Sequence, residues 1–400
     1  MTPTSSSPLP RIYLLAGRDK RVSHGHPWVY SNEIRMDAEA KALPAGSLAT
    51  LHRVDGKPLG VGGFNPHALI AFRLFDRDGA GVIDRRFFAD RLRSALALRE
   101  RLYREPFYRL IHAEADGIPG LVVDRFDAAV VVQANTAVVD ALIDEILSAI
   151  DTVLAPAIVV VRNDSPARAG EGLAASVALA KGRLDGPVSV RENGVLYAAD
   201  LLAGQKTGWF FDQRDNRAFI APLAAQGRML DAYCHSGGFA LAAACSGASA
   251  VLGIDSSQPA LRLAGDAAAA NGLGERCTFR RAQVFEALQA MVDARERFAV
   301  VVADPPAFVK SRKELGTGLR GYRKLTRLAA ALVEPGGILF VASCSHNVEV
   351  TAFAAEAVRG LAAAGRSGRV IRAAGASADH PVHPHLPESA YLKSLTFHLD

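Results

Sequence analysis

The sequence holds no run of about 18 apolar residues, so no stretch of it reads as a membrane-spanning helix. Cysteine is scarce: Cys234, Cys245, Cys277 and Cys344 are scattered, with no C-x-x-C spacing. That argues against a zinc site and against a disulfide framework, and no metal is expected. A charged-then-apolar leader is missing too. Residues 1 to about 9, within MTPTSSSPLP, are polar and Pro-rich and are expected to form a disordered leader rather than a signal peptide. Strong charge bias is also lacking, since the net charge is only +5, which permits a polyanionic partner without demanding one. These absences describe a soluble protein of a reducing, bacterial cytoplasm. What remains is ample: 400 residues, half of them hydrophobic and 22% charged, enough for two or three domains with sizeable cores.

The chain is organised around residues 231–257, DAYCHSGGFALAAACSGASAVLGIDSS. A short apolar strand ends on Asp231, Ser236-Gly237-Gly238 makes a tight turn, and an Ala-rich helix starts at Phe239. A second buried strand over 250–254 ends on Asp255, about 20 residues on, where a ribose hydroxyl pair is held in such units. Gly237 and Gly238 lack a Cβ, so a ligand can lie against the backbone there. Phe239 and Ala240 follow the pair directly, so this turn is not G-x-G-x-x-G. A shorter turn suits a nucleoside without a diphosphate, such as S-adenosylmethionine, better than a dinucleotide.

Upstream, residues 12–15, 28–30, 48–51, 60–64 and 71–75 are β-like runs separated by turn signals such as Asp55-Gly56, which predicts a small β-barrel. Arg18, Lys20, Arg21, His24 and His26 cluster beside Pro27-Trp28. Such a mixture can grip RNA backbone and bases; the plainer reading is a solvated turn with Trp28 in the core. Residues 84–104 predict a helix with Phe87, Phe88, Leu92, Leu96 and Leu102 on one side and arginines on the other. Strand-like runs flank a turn in which Glu114 and Asp116 read as turn-formers. A strand over 130–133, an amphipathic helix over 138–150, a strand over 158–162 and a polar, Gly-rich connector over 164–186 complete an α+β region. From 188 onward a hairpin around Asn193-Gly194 leads into strands alternating with helices, including strands at 278–281, 298–303 and 336–343. That alternation implies a parallel sheet with helices on both faces, and domains of 1–80, 81–187 and 188–400.

Ligands of such sheets bind outside the carboxyl ends of the strands. Those ends are Asp231 with Gly237, Asp255, Asp304-Pro305-Pro306-Ala307-Phe308, and Ser343-Cys344-Ser345-His346, all expected to face one crevice. A strand running into Asp-Pro-Pro has a stiff, extended exit that presents a carboxylate to a planar substrate, on which Phe308 could stack. A lone cysteine is ordinarily an inert core thiol, but Cys344 at a strand end beside Ser343, Ser345 and His346 is a candidate nucleophile. Lys310, Arg312, Lys313, Arg320, Arg323, Lys324 and Arg327, against Glu314 alone, read as a phosphate-gripping rim or a solvated helix face.

GHPWVY at 25–30, HAEADGIPGLVVDRF at 112–126 and GQKTGWFFDQRDNR at 204–217 carry a family resemblance. So do DAYCHSGGFA at 231–240, DPPAF at 304–308, SCS at 343–345 and DHPVHPHLPESAYLK at 379–393. The chain resembles, nearly end to end, the bacterial 23S rRNA cytosine-C5 methyltransferase I family, which uses S-adenosylmethionine. The resemblance implies an N-terminal PUA-like RNA-binding domain, an α+β middle domain and a Rossmann-like class I methyltransferase domain. It assigns cofactor binding to Gln213, Asp231, His235, Ser236, Gly237, Gly238, Phe239, Asp255, Gln283 and Asp304. RNA binding falls to Arg18, Lys20, Arg21, Lys310, Arg312 and Arg320, with 23S rRNA or a pre-ribosomal large-subunit particle as partner and no membrane. Whether the chain is a monomer or a homodimer is left open. Two positions depart from the family: Ala282-Gln283 stand where acidic residues usually take the adenine amino group, and Ala307 where relatives often carry Lys. Gln283 can still accept that bond, without charge assistance.

Cytosine C5 is a poor nucleophile until something adds to C6, and a thiolate suits that addition. The expected roles are Cys344 as nucleophile and Asp304 as the partner of the N3 edge; the base for the C5 proton is His346 or water. The rivals are a nicotinamide dehydrogenase, an RNA methyltransferase acting on an exocyclic amine or ring nitrogen, and a non-catalytic RNA-binding assembly protein.

Overall fold

Short alternating runs pair as antiparallel ribbons when turn residues separate them closely, and residues 47–76 do so, while Arg11–Tyr13 pairs in parallel with Ser47–His52. In the computed structural model, which describes residues 8–78 and 81–400, a five-stranded sheet forms in the order Arg11–Tyr13, Ser47–His52, Pro58–Phe64, Ile70–Asp76, Trp28–Tyr30. Most of the expected leader lies outside the described residues. Ile12, Val29, Leu51, Phe64 and Phe72 fill its core. A second five-stranded sheet runs in the order Ser176–Lys181, Ile158–Asn163, Ala129–Ala134, Leu121–Phe126, Phe107–His112. Helices Arg85–Leu102 and Ile143–Leu154 pack on one another and share its core.

Four expectations change here. The 164–186 connector contains the edge strand Ser176–Lys181, whose residues are all exposed, Val177 and Leu179 among them. The single helix over 138–150 is two, Ala137–Ala141 and Ile143–Leu154, broken at Leu142. Arg99 sits on the buried face of its helix, paired with Asp116 at 2.7 Å, while Leu102 is exposed. Glu114 and Asp116 do form a turn, but both are also committed to ion pairs: Asp116 takes Arg99, and Glu114 takes Arg73 and the Trp28 indole. A buried arginine holds its charge in a core only with such a partner.

The second unit comprises residues 186–200, 209–380 and 388–400. Its hairpin, Val188–Glu192 and Val195–Ala199, turns on Asn193 (φ 52) and Gly194 (φ 80), the left-handed pair that a two-residue hairpin needs. Seven strands follow: β1 (Arg228–Ala232), β2 (Ala250–Asp255), β3 (Cys277–Arg281), β4 (Phe298–Ala303), β5 (Val333–Ser343), β6 (Gly368–Ala374) and β7 (Lys393–Leu399). They form one sheet ordered β3-β2-β1-β4-β5-β7-β6, the first five parallel and β7 antiparallel to both neighbours. Phe-Ala-Val-Val-Val-Ala in β4 is apolar throughout because helices cover both of its faces. The covering helices are α1 (Gly238–Cys245), α2 (Gln258–Ala270), α3 (Val284–Asp293), α4 (Leu315–Ala331) and α5 (Val350–Ala363). Leu288, Leu325, Leu328 and Phe353 of α3, α4 and α5 share one core with the sheet. This is the expected Rossmann-like α/β domain, extended by two strands. Strand β5 begins before the Pro335-Gly336-Gly337 segment rather than after it, with a register shift against β4. Among the described residues no helix is long and apolar enough to cross a membrane.

Candidate functional site

The order reverses between β1 and β4: the chain winds from β1 out to β3 and then returns to lay β4 on the other side of β1. A crevice opens at such a switch point, outside the strand carboxyl ends. Asp231, the penultimate residue of β1, is 1% exposed. Its Oδ2 accepts the Ala240 backbone N–H at 2.8 Å, and its Oδ1 is buried with no hydrogen-bond partner. Burial pushes this carboxyl up to about 7, Asp304 and Asp255 add to the rise, and the Ala240 N–H and Arg217 oppose it. A buried carboxylate oxygen without a donor is a site prepared for a cation or a strong donor.

The turn after β1 is bent backbone: Tyr233 (φ 66), His235 (φ 48) and Gly237 (φ 83) all lie in the left-handed region. Two of these carry side chains, a conformation that surrounding structure must hold in place. Asp255 at the end of β2 does part of that. Its Oδ2 accepts the His235 N–H at 3.0 Å and its Oδ1 the Ser257 N–H at 2.8 Å. Ser236 is buried, with Oγ 3.1 Å from His235 Nδ1. Gly253 permits close approach from below, since a Cβ there would meet the Phe279 ring at 2.6 Å and Cys234 Sγ at 3.0 Å. The Phe239 ring turns away into the core against Phe340, with centroids 5.1 Å apart, so only its backbone belongs to the turn. Gln283 is exposed at the start of α3 and caps no helix N–H.

On the other side of β1, Asp304 follows β4 directly. Its Oδ2 accepts from Gln213 Nε2 at 2.9 Å, and Asn216 Nδ2 in turn donates to Gln213 Oε1 at 2.7 Å. Gln213 thus orients the carboxylate of Asp304. Cys344 follows β5 and is half-buried, with Sγ 3.9 Å from the Pro305 carbonyl, so the Asp-Pro-Pro exit and the thiol are neighbours. Both serines flanking Cys344 are tied to Tyr322 of α4. The Ser343 hydroxyl donates to the Tyr322 oxygen at 2.8 Å, Ser345 Oγ lies 2.8 Å from the same oxygen, and the Val309 N–H donates to Ser345 Oγ at 3.2 Å. His346 is exposed, its ring stacked on Tyr391 with centroids 5.1 Å apart. Phe308 packs between Phe285 and Tyr322.

The structure therefore brings Asp231, Asp255, Asp304 and Cys344 to the same ends of one sheet. Sequence reasoning did not find Asn216, Tyr322 or Lys393. For Lys393 a signal existed: it falls on the same alternating face as Leu395, Phe397 and Leu399, where a lysine needs a reason to be. The expected RNA-binding residues divide. In the first unit Arg18 and Lys20 are exposed, while Arg21 pairs with Glu33 at 2.6 Å and lies over the Tyr30 ring. Trp28 is half-buried, its indole N–H donating to Glu114 at 2.7 Å. In the second unit Lys310, Arg312, Lys313 and Arg320 are exposed, whereas Arg323 pairs with Glu356 at 2.6 Å and Lys324 lies over Phe285. Among the described residues no group of three or more His, Cys, Asp or Glu could hold a metal ion.

Two family models match the chain: a PUA-like domain over residues 12–77 and an S-adenosylmethionine-dependent methyltransferase over residues 174–397. The chain is 35% identical over 390 residues to ribosomal RNA large subunit methyltransferase I of Shewanella denitrificans, covering 96% of this chain and 98% of the relative. To the protein of the same name in Photobacterium profundum it is 36% identical over 389 residues, covering 96% and 97%. In fold it is similar to SMU.776, a putative methyltransferase solved in complex with SAH. That match has a TM-score of 0.83 at 19% identity and covers 98% of this chain and all of the other.

Proposed function

Because this chain belongs to the ribosomal RNA large subunit methyltransferase I family of S-adenosylmethionine-dependent methyltransferases, we propose that it methylates C5 of a cytosine in 23S rRNA through a covalent Cys344 adduct. The observation that carries the proposal is the half-buried Cys344 beside the Asp304-Pro305 exit, at the sheet edge where Asp231 and Asp255 end their strands.

The cofactor fits the residues present. The unpartnered Oδ1 of Asp231 suits the ammonium of its methionine portion, and Gly237, at φ 83, leaves the turn open to a nucleoside. The Asp255 oxygens each accept one backbone N–H and keep lone pairs for ribose hydroxyls. When bound, S-adenosylmethionine supplies an electrophilic methyl on a sulfonium and takes the electron pair of the broken S–C bond. Cys344 forms the C6–S bond and so makes C5 nucleophilic. Asp304, oriented by Gln213, holds the N3 edge as charge develops on the ring. His346 or water takes the C5 proton, the C5–C6 double bond re-forms, and Cys344 leaves as thiolate. Radiolabelled methyl transfer to large-subunit rRNA from a strain lacking the protein is expected to yield 5-methylcytosine. Label in an N-methylated base instead would transfer the site to amine or ring-nitrogen chemistry.

The exposed Lys310 and Arg312 support an RNA grip just after the Asp304 motif. If each neutralises one phosphate, replacing both by alanine flattens the slope of log affinity against log salt by about 1.4 to 1.8. Filter binding across a salt series reads this directly, and an unchanged slope would mean that both are merely solvated.

A further inference from the structure

Lys393 has a position that neither packing nor RNA binding accounts for. It opens β7 directly opposite Ser343, the last paired residue of β5, and is 5% exposed. Its ammonium does not reach solvent but runs beneath the turn after β5, donating to the Ser345 and Val348 carbonyls at 2.7 Å each. The Val348 N–H closes that turn on the same Ser345 carbonyl at 3.2 Å. Cys344 lies between the two points at which Lys393 is anchored, the ladder partner Ser343 and the acceptor Ser345. A buried ammonium is costly unless a negative charge or several acceptors compensate it. Two carbonyls use two of its three protons.

We propose that Lys393 is a positioning residue whose buried charge holds the Cys344 sulfur as a thiolate, ready to attack. The inference rests on the reading of Cys344 as nucleophile, but the charge effect can be measured without it. Among the described residues the titratable and charged groups around the pair include Tyr322, Glu349, Asp304 and His346. Tyr322 of α4 is kept protonated by burial, and Cys344 adds to that rise. Burial lowers the Lys393 ammonium, while Cys344 and, more weakly, Glu349 favour its charge. Asp304 follows β4 beside Pro305, whose carbonyl lies 3.9 Å from the Cys344 sulfur, and is engaged by Gln213. Among these described groups Lys393 is the buried cation, since His346 is exposed and stacked on Tyr391. A thiolate beside a cation forms at lower pH than a free thiol and is populated at neutrality.

The test is the pH dependence of Cys344 alkylation by iodoacetamide in the full-length protein, read by peptide-resolved mass spectrometry so that exposed Cys245 does not interfere. In the wild type the midpoint is expected below the free-thiol value of about 8.5. In Lys393→Met, of similar length and no charge, it moves up by about one unit or more, and alkylation at pH 7 falls about tenfold. Lys393→Arg keeps the wild-type midpoint. If Lys393 only braces the turn, Lys393→Met changes the plateau rate through exposure and leaves the midpoint in place, which overturns the proposal. So does a wild-type midpoint at or above 8.5, a result that does not depend on any variant folding. A shifted midpoint in a protein whose methylation survives Cys344→Ala would keep the charge effect and reject the nucleophile reading.

Discussion

Cys344→Ala is expected to abolish methyl transfer, by on the order of 10⁴-fold or more, since removing a covalent nucleophile in a hydrolase costs about 10⁶. Binding of S-adenosylmethionine and of RNA should survive, because the thiol acts in the chemical step. Cys344→Ser is expected to be nearly as inactive, a hydroxyl being hardly ionised near neutral pH. No other cysteine can substitute. Burial pushes the Cys234 thiol far up, the Cys277 thiol to about 11, and the Cys245 thiol upward as well. Their alanine variants should cost stability or cofactor fit at most. Single-turnover methylation with titrated cofactor binding separates these outcomes. Substantial transfer by Cys344→Ala would reject covalent catalysis from this strand.

Asp231→Asn is expected to lose cofactor affinity by about 10- to 150-fold, since hydrogen bonds to charged groups contribute about 1.5–3 kcal/mol. The same change should stabilise the cofactor-free protein at pH 8. The carboxyl rises from an ordinary 3.8 to about 7 on folding because burial penalises its charge. A group raised in this way stabilises the fold below its unfolded value, and that contribution is lost as pH rises through about 7. Cofactor-free wild type therefore weakens from about pH 4 to about pH 7 and levels off above that, whereas asparagine, which can still accept the Ala240 N–H, shows no such loss. Wild-type affinity for the cationic cofactor should fall about tenfold for each pH unit below 7, because the carboxylate must first lose its proton. Calorimetric titrations and thermal melts at pH 6 and 8 check both statements. An Asn variant that binds normally at both values would remove Asp231 from the cofactor site.

The parallel half of the sheet was legible because buried strands such as Phe298–Ala303 leave an unbroken apolar signature, and the Gly237 turn marks the helix that follows β1. Strand Ser176–Lys181 was not, because its short Val177–Leu179 pattern sits inside a polar, Gly-rich stretch that reads as a connector. The early start of β5 was hidden by Pro335-Gly336-Gly337, which reads as a turn and here is accommodated within the strand by a register shift. Strand carboxyl ends gave the crevice residues Asp231, Asp255, Asp304 and Cys344, since topology alone dictates where those ends lie. The residues that hold them did not emerge in the same way. Gln213 reached the cofactor set through a motif, whereas its contact in the structure is the Asp304 carboxylate. Tyr322 and Lys393 meet the Cys344 turn from 22 residues before it and 49 after it, and although the alternation in β7 singles out Lys393, no local pattern names the partner of either side chain. Arg99 was likewise assigned to solvent because its partner Asp116 belongs to the next strand's turn.

In the proposed mechanism a sulfur–carbon bond to cytosine C6 precedes methylation at C5. The most direct measurement is incubation of the protein with S-adenosylmethionine and an rRNA substrate containing 5-fluorocytidine, followed by denaturing electrophoresis and peptide mapping. Fluorine at C5 cannot be removed as a proton, so the methylated adduct cannot eliminate the sulfur. A cofactor-dependent, denaturant-stable protein–RNA complex mapped to Cys344 is the predicted result. No complex under conditions where unmodified rRNA is methylated, or a complex that persists in Cys344→Ala, would contradict it.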